Sequence, residues 1–178
     1  MSVLVVFESM WGNSRQVAEA AAEGLGKDVP VVSVAEAPVP LPLDVDTLVL
    51  GGPTHAFSMS RATTRQEARA KGADEGDVTS GIREWLDALP THDHLRVAIF
   101  DTRVASVRHL PGSAAKAAAR EVRRSRLGQV IATQSFYVAD TAGPLLDGEL
   151  ERARGWGASL QGERRTPSPA PDPRHGQR

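Results

Sequence analysis

The sequence contains no cysteine, and this absence excludes several kinds of chemistry at once. Without a thiol, the chain cannot form a disulfide framework, bind a metal through thiolates or use a cysteine nucleophile. A chain without disulfides also suits a reducing compartment, so we expect a cytoplasmic protein.

A charge excess and long apolar runs are missing as well. The 178 residues include 21 Lys and Arg against 22 Asp and Glu, which gives a formal net charge of −1. Balanced charge implies no general attraction to nucleic acid or to an anionic membrane. No apolar run approaches the ~20 residues that a membrane-spanning helix needs, and the start MSVLVVFES lacks the basic region of a signal peptide. We therefore expect no nucleic-acid partner and no membrane span.

The composition favours one domain followed by a tail. A hydrophobic fraction of 40% is ordinary for a globular protein, and domains commonly span ~100–200 residues. We predict a single domain over residues 1–162. Residues 163–178 read ERRTPSPAPDPRHGQR, with four prolines and no aliphatic side chain larger than alanine, so we predict a disordered Pro/Arg-rich tail.

Apolar runs alternate with amphipathic stretches along the chain. The unbroken apolar residues in 2–8 predict a strand buried on both faces, and helical spacing follows in 13–25, where Asn13 or Ser14 is the predicted N-cap and Gly24 or Gly26 the predicted end. Strands and helices that alternate imply an α/β fold with a doubly wound parallel sheet. The other predicted strands cover 29–34, 47–50, 96–100 and 129–138, and the other predicted helices cover 82–89, 113–127 and 146–160.

Three segments follow the carboxyl ends of predicted strands, where open α/β sheets bind their ligands. The most informative is Ser9-Met10-Trp11-Gly12-Asn13-Ser14, which joins a strand to a helix. Backbone N–H groups at a helix N-terminus are unpaired and the helix dipole adds partial positive charge, so a phosphate can bind there without a lysine or arginine. The pattern is neither a P-loop nor G-x-G-x-x-G. These residues alone leave open a phosphate site or a plain capped turn.

Two of the segments resemble the flavin loops of the flavodoxin family. Residues 8–14, Glu-Ser-Met-Trp-Gly-Asn-Ser, are similar to its Ser/Thr-x-x-Gly-x-Thr/Ser phosphate loop, and residues 51–55, Gly-Gly-Pro-Thr-His, are similar to its Gly-x-Pro-Thr loop. The order of elements agrees from residue 2 to about residue 161. The resemblance implies a flavodoxin-like sheet of five parallel strands in the order 2-1-3-4-5, with FMN bound non-covalently.

The resemblance also implies roles for individual residues. Ser9, Ser14 and the amides of residues 11–14 would hold the FMN phosphate, residues 53–57 would follow a face and edge of the flavin ring, and residues 101–104 would approach its pyrimidine end. No residue is predicted to be catalytic, because the flavin carries the redox chemistry. The predicted cofactor-binding residues are Ser9, Met10, Trp11, Gly12, Asn13, Ser14, Pro53, Thr54, His55, Ala56, Phe57, Asp101, Thr102, Arg103 and Val104.

No metal site is predicted. The pattern His92-Asp93-His94 is the one grouping that suggests metal ligands, but it precedes a strand and so lies at the opposite edge of the sheet from the loops above.

The chain departs from the family pattern in the aromatic residues of the predicted flavin segments and in the charged residues around them. The third segment has no aromatic residue, which leaves Arg103 or Trp11 to lie against the flavin. Cations near the ring would stabilise a reduced anionic flavin and raise its potential, whereas cations that point to solvent would contribute little. The basic residues of this predicted rim are Arg61, Arg65, Arg103, Arg108 and His109.

Residues 58–80 form a long connection, which either covers the flavin as a lid or is a surface loop.

Three functions are compatible with all these features. The first is an FMN protein that transfers electrons to a redox partner protein. The second is an FMN-dependent NAD(P)H:quinone-type oxidoreductase with a small-molecule acceptor. The third is a flavin-free binding or regulatory module with the same fold.

Overall fold

A computed structural model describes residues 2–92 and 94–162. The predicted tail at 163–178 and Asp93 of the His92-Asp93-His94 pattern lie outside the described residues. The strands are β1 (Ser2–Phe7), β2 (Val31–Ser33), β3 (Val45–His55), β4 (Ser58–Met59), β5 (Arg96–Val104) and β6 (Gln129–Val138). The helices are α1 (Asn13–Leu25), α2 (Ala62–Ala70), α3 (Ile82–Ala88), α4 (Ala114–Ser125) and α5 (Glu149–Gly162), with a 3-10 turn at Ala105–Val107.

Five strands form a parallel sheet in the order β2-β1-β3-β5-β6. Counted among themselves, they follow the order 2-1-3-4-5, so the predicted doubly wound α/β fold is confirmed. Strand β4 is an addition that the sequence did not predict, because it is a two-residue strand that pairs antiparallel with the end of β3. The strand order reverses between β1 and β3, and the ends of these strands therefore flank the expected ligand crevice.

Alternate residues of the strands feed two separate hydrophobic clusters. On one face, Leu48 and Ile99 pack with Trp85 of α3 and Val122 of α4. On the other face, residues of β1, β3 and β5 pack against α1 and α5. Phe100, Phe136 and Trp156 lie edge-to-face there, with ring centroids 6.0–6.2 Å apart.

Helices α1 and α5 are in direct backbone contact. A Cβ on Gly157 would overlap the backbone oxygen of Ala21, and a Cβ on Gly24 would overlap that of Arg154. Only glycine can occupy these two positions while the helices stay at this distance.

Two strands are longer than predicted. Strand β3 continues to His55 and β5 continues to Val104, so Pro53–His55 and residues 101–104, for which the sequence predicts loops, belong to strands. The extensions exist because each has a partner: β4 pairs with the end of β3, and Val104 pairs with Val138 of β6. Within the described ranges, no helix is long and apolar enough to cross a bilayer.

Candidate functional site

A cleft opens at the carboxyl edge of the sheet, between the β1–α1 loop and the ends of β3, β5 and β6. All three predicted segments contribute to it. Its lining residues are Ser9, Met10, Trp11, Asn13, Ser14, Pro53, Thr54, His55, Thr102, Arg103, Val104, Val138 and Thr141. Four predicted residues, Gly12, Ala56, Phe57 and Asp101, are not among them.

The β1–α1 loop presents unpaired backbone donors beside the cleft. Gly12 is the N-cap of α1, in a left-handed conformation with φ of 82°, and its N–H donates to Ser9 Oγ at 3.0 Å. The prediction that Asn13 or Ser14 caps the helix was wrong, because the left-handed glycine starts the helix one residue earlier. In the part of the chain that the structure describes, no acceptor pairs with the backbone N–H of Trp11, Asn13 or Ser14. Three donors are thus available at the positive end of the helix dipole.

Two buried hydroxyls join this loop to the sheet. Ser14 Oγ and Thr102 Oγ1 are 2.7 Å apart, and both residues are buried. Whichever hydroxyl donates, the other keeps its own hydrogen for a ligand oxygen. The pair therefore fixes the first turn of α1 against β5 and still offers one donor.

The side chain of Asn13 holds the loop that follows β6. Asn13 Nδ2 donates to Ala142 O at 3.2 Å, and a Cβ on Gly143 would come within 2.6 Å of Asn13 Oδ1. Gly143, with φ of 101°, therefore has no room for a side chain. This contact brings Thr141 to the cleft, a residue that sequence reasoning missed.

The end of β3 forms one wall of the cleft. Thr54 Oγ1 accepts from Ala114 N at 3.0 Å, which links this wall to the start of α4. His55 Nδ1 lies 3.0 Å from Thr64 Oγ1 of α2. Burial lowers the pKa of His55 below its ordinary value of 6.5, and the charge of Arg65 lowers it further. His55 is therefore neutral at neutral pH.

A tight turn between β3 and β4 lies beside this wall. Ala56 and Phe57 have φ of 47° and 62°, in the left-handed region that residues with a Cβ rarely adopt. Phe57 is 45% exposed at the tip of the turn, and Gly112 packs closely against its backbone. Strained turns of this kind often lie at functional sites.

The residues at the end of β5 differ in where their side chains go. Asp101 is fully buried, and its Oδ2 accepts from Ala115 N at 2.9 Å in the first turn of α4, so its side chain does not reach the cleft. Arg103 lines the cleft. Its Nη2 donates to Val107 O at 2.8 Å and Leu110 O at 3.2 Å.

Residues 58–80 neither line the cleft nor form a free surface loop. Glu75 N donates to Met10 O at 3.2 Å, and Gly76 packs against Ser9 O, so this segment supports the β1–α1 loop from the side away from the cleft. Arg15 pairs with Glu75 at 2.8 Å there, and this hydrogen bond lowers the pKa of Glu75. The segment acts as a support for the loop.

A buried polar network anchors the same segment. Arg65 is fully buried and donates to Ser60 Oγ at 2.7 Å and to Glu84 Oε1 at 3.0 Å. Glu8, the residue before the loop, accepts from Ser60 Oγ and from Ile82 N. Burial raises the pKa of Glu8, against the opposing effect of these hydrogen bonds and of Arg65. The network connects β1, α2 and α3 directly behind the site.

Of the five residues of the predicted basic rim, one lines the cleft. Arg61, Arg108 and His109 are exposed and do not line the cleft, and Arg65 is buried in the network. Arg103 is the member of the rim that lines the cleft. Within residues 2–92 and 94–162, no cluster of metal-ligating side chains is found.

No family model matches the chain, and no curated protein is similar to it in sequence. Solved structures do match. A flavodoxin from the domain Archaea is 18% identical, with a TM-score of 0.56 over 92% of this chain and 98% of that one. Oxidised flavodoxin 1 from Bacillus cereus is 15% identical, with a TM-score of 0.58 over 91% and 98%. Fusobacterium nucleatum flavodoxin bound to flavin mononucleotide is 14% identical, with a TM-score of 0.55 over 92% and 99%.

The fold and the position of the cleft define the class of the protein. It is an open, doubly wound α/β protein with its crevice at the carboxyl ends of β1 and β3. The solved structures make that description more specific, because the chain has a flavodoxin-like fold.

Proposed function

We propose that this protein binds FMN non-covalently in the cleft and acts in electron transfer. The observation that carries the proposal is the β1–α1 loop. Its free N–H groups on Trp11, Asn13 and Ser14 lie at the helix N-terminus with the buried hydroxyl of Ser14 beside them, while the Ser9 hydroxyl accepts from Gly12 N and bonds Glu75. This donor set suits a phosphate, because neutral donors at a helix N-terminus bind an anion without a paired cation.

The walls of the cleft suit a flat ring. Pro53, Thr54 and His55 lie on β3, and Thr102, Arg103 and Val104 lie on the neighbouring β5. When bound there, FMN would supply the electron-accepting chemistry. The side chains of the protein would orient the ring, exclude water and keep neutral His55 available as a hydrogen-bond partner. Phe57, at the tip of the adjacent turn, would cover an edge of the ring.

The solved structures support the cofactor assignment. Those with similar folds include several flavodoxins, and the flavodoxin from Fusobacterium nucleatum is bound to flavin mononucleotide. Redox partners would then be an electron-carrier protein, a small-molecule acceptor or NAD(P)H, and we expect the protein to work in the cytoplasm.

Electron transfer is better supported than NAD(P)H:quinone-type oxidoreductase activity. An enzyme needs room beside the flavin for a second reactant, which a cover formed by residues 58–80 and a basic rim would favour. Residues 58–80 lie behind the loop, and Arg103 is the rim residue at the cleft. Turnover of NAD(P)H by the flavin-loaded protein, with and without a quinone, separates the two functions. Rapid quinone-dependent turnover would favour the enzyme.

The binding test is a titration of apoprotein with FMN and with riboflavin, followed by absorption and by flavin fluorescence. We expect FMN to bind much more tightly, because riboflavin lacks the phosphate. Replacement of Gly12 by alanine should weaken FMN binding, since the left-handed φ of 82° is needed to shape the loop.

A matched control exists in the same chain. Gly148 has the same φ of 82° but has open space around its Cα and lies outside the cleft. Gly148→Ala should carry similar backbone strain without a change in FMN affinity. A colourless protein that takes up neither flavin would refute the proposal and favour a flavin-free module.

A further inference from the structure

Arg103 is a buried cation without a counter-ion. It is 6% exposed, and its Nε is buried with no hydrogen-bond partner. The acceptors of its Nη2 are two neutral backbone carbonyls, Val107 O and Leu110 O. Among the described residues, no carboxylate forms an ion pair with it.

Such a residue is costly to the folded state. A buried charge is normally paired with an opposite charge. Burial removes the solvation by water, and the protein interior is a poor substitute for it. Asp101 is on the same strand two residues away, but it forms no ion pair with Arg103: its Oδ2 accepts from Ala115 N, and its Oδ1 is buried without a hydrogen-bond partner. Arg103 therefore lies at the wall of the cleft without a direct ion pair to any carboxylate of the described residues.

We infer that Arg103 is the residue that favours the reduced, anionic form of the bound flavin. The inference rests on the proposed function. Full reduction of FMN consumes two electrons and one proton and leaves one negative charge on the ring. A partner protein would supply the two electrons, with the proton taken from solvent, whereas a reduced nicotinamide would supply both electrons and the proton together as a hydride. A buried guanidinium without an ion pair in the same cleft stabilises that charge far more than a solvent-exposed cation can.

The other cations near the cleft do not provide this charge. Arg65 pairs with Glu84, and Arg15 pairs with Glu75 on the far side of the loop. Arg108 is exposed, so water screens it. Arg103 therefore sets the ratio of affinities for oxidised and reduced FMN, and through that ratio the reduction potential.

The experiment measures that ratio in four full-length proteins. Arg103→Gln keeps hydrogen-bond donors for Val107 O and Leu110 O but removes the charge, whereas Arg103→Lys keeps the charge. Arg108→Met removes an exposed cation from the same loop. Dissociation constants for oxidised and for fully reduced FMN are measured anaerobically, and potentials by spectroelectrochemistry, beside the unchanged protein.

We expect Arg103→Gln to weaken binding of reduced FMN at least tenfold more than binding of oxidised FMN. A tenfold change in this ratio lowers the two-electron potential by about 30 mV. Arg103→Lys should keep the ratio within about threefold, and Arg108→Met should leave it unchanged, as expected for a screened charge.

Several results would overturn the inference. If Arg103→Gln weakens both forms of FMN equally, or lowers only the melting temperature of the apoprotein, Arg103 merely holds the loop of residues 105–110. If Arg103→Gln does not fold, Arg103→Lys is the test. A tenfold fall in its affinity for reduced FMN relative to oxidised FMN would contradict a role for the charge. Failure of the unchanged protein to bind FMN would instead refute the proposed function.

Discussion

The two faces of the sheet are held together in different ways. On the α1–α5 face, two helices touch backbone to backbone through Gly24 and Gly157. On the α2–α3 face, the contact between the elements includes the buried side chains of Glu8, Ser60 and Arg65, with the partly exposed Glu84 paired to Arg65. The α1–α5 contact depends on close backbone packing, whereas the opposite face combines its hydrophobic cluster with a polar network.

This difference determines how each face responds to change. A shape contact is lost when volume is added, and it is indifferent to pH. A buried polar network is lost when one partner is removed, because the remaining groups stay desolvated and unpaired. The polar network includes Glu8, the residue directly before the β1–α1 loop, so perturbations of its charges act next to the candidate site.

The largest effect should come from Arg65→Met. This substitution leaves Glu8 and Ser60 buried without their cation, and we expect a loss of about 3–5 kcal/mol in the free energy of unfolding, measured by urea denaturation. The loss should shrink at lower pH, because protonation removes the stranded charge of Glu8. Arg120→Met, an exposed change on α4, should stay within about 0.5 kcal/mol. A loss under about 1 kcal/mol in Arg65→Met would mean that the two faces do not differ as described.

The second effect tests the shape contact. Gly157→Ala places a methyl group onto the backbone of Ala21, and we expect a loss of about 1–3 kcal/mol as the helices are forced apart. Gly155→Ala is the matched control in the same helix, since open space surrounds that position. It should stabilise the protein by up to about 1 kcal/mol through helix propensity. Equal effects of the two changes in thermal unfolding would contradict a tight contact.

The third effect distinguishes the faces by pH. The hydrogen bond from Arg15 lowers the pKa of Glu75 below its ordinary value of 4.5. As the pH falls past that value, Glu75 therefore binds a proton more readily in the unfolded chain than in the folded protein. The contribution of Glu75 is therefore complete above pH 4.5 and is lost as the pH falls through the folded pKa. Glu75→Gln should cost about 1 kcal/mol or less at pH 7 and nothing at low pH. The cost of Gly157→Ala should be equal at both pH values.

The smallest effect concerns an exposed ion pair across α1 and α5. Arg154 Nε lies 2.6 Å from Glu23 Oε2, with the side chains 43% and 59% exposed. Exposed pairs contribute between 0 and about 1 kcal/mol, so we expect Glu23→Gln to change stability by less than about 0.5 kcal/mol. A larger loss in chemical denaturation would show that charge also matters on the shape-dependent face.

Local signals predicted much of the fold. The apolar stripe of α1 and the glycine at 26 predicted the helix Asn13–Leu25, and the apolar runs predicted the central strands. The ends of β3 and β5 depended on tertiary partners instead. They contain Gly, Pro, Asp and Thr, which predict turns, and they are strands because β4 and β6 pair with them.

The site was predicted less completely than the fold. The loop residues were visible because a polar, glycine-containing turn follows a buried strand. Thr141 and Val138 were missed because they reach the cleft only through the β5–β6 pairing and the contact between Asn13 and Ala142. The burial of Arg65 was also missed, since an isolated arginine in a polar stretch normally indicates solvent, and its charge acts on Glu8, which is distant in the sequence.

The support behind the β1–α1 loop has a consequence for ligand detection. Ala73, Glu75 and Gly76 already contact Met10 and Ser9 on the side away from the cleft, so an anion that reaches the free N–H groups would enter from the cleft. An anion bound to the β1–α1 loop stabilises the state in which residues 73–77 are packed against this loop. Local unfolding of α2, which precedes these residues, then becomes rarer by mass action. Amide hydrogen exchange in α2 should therefore slow on ligand addition, although no residue of that helix touches the ligand.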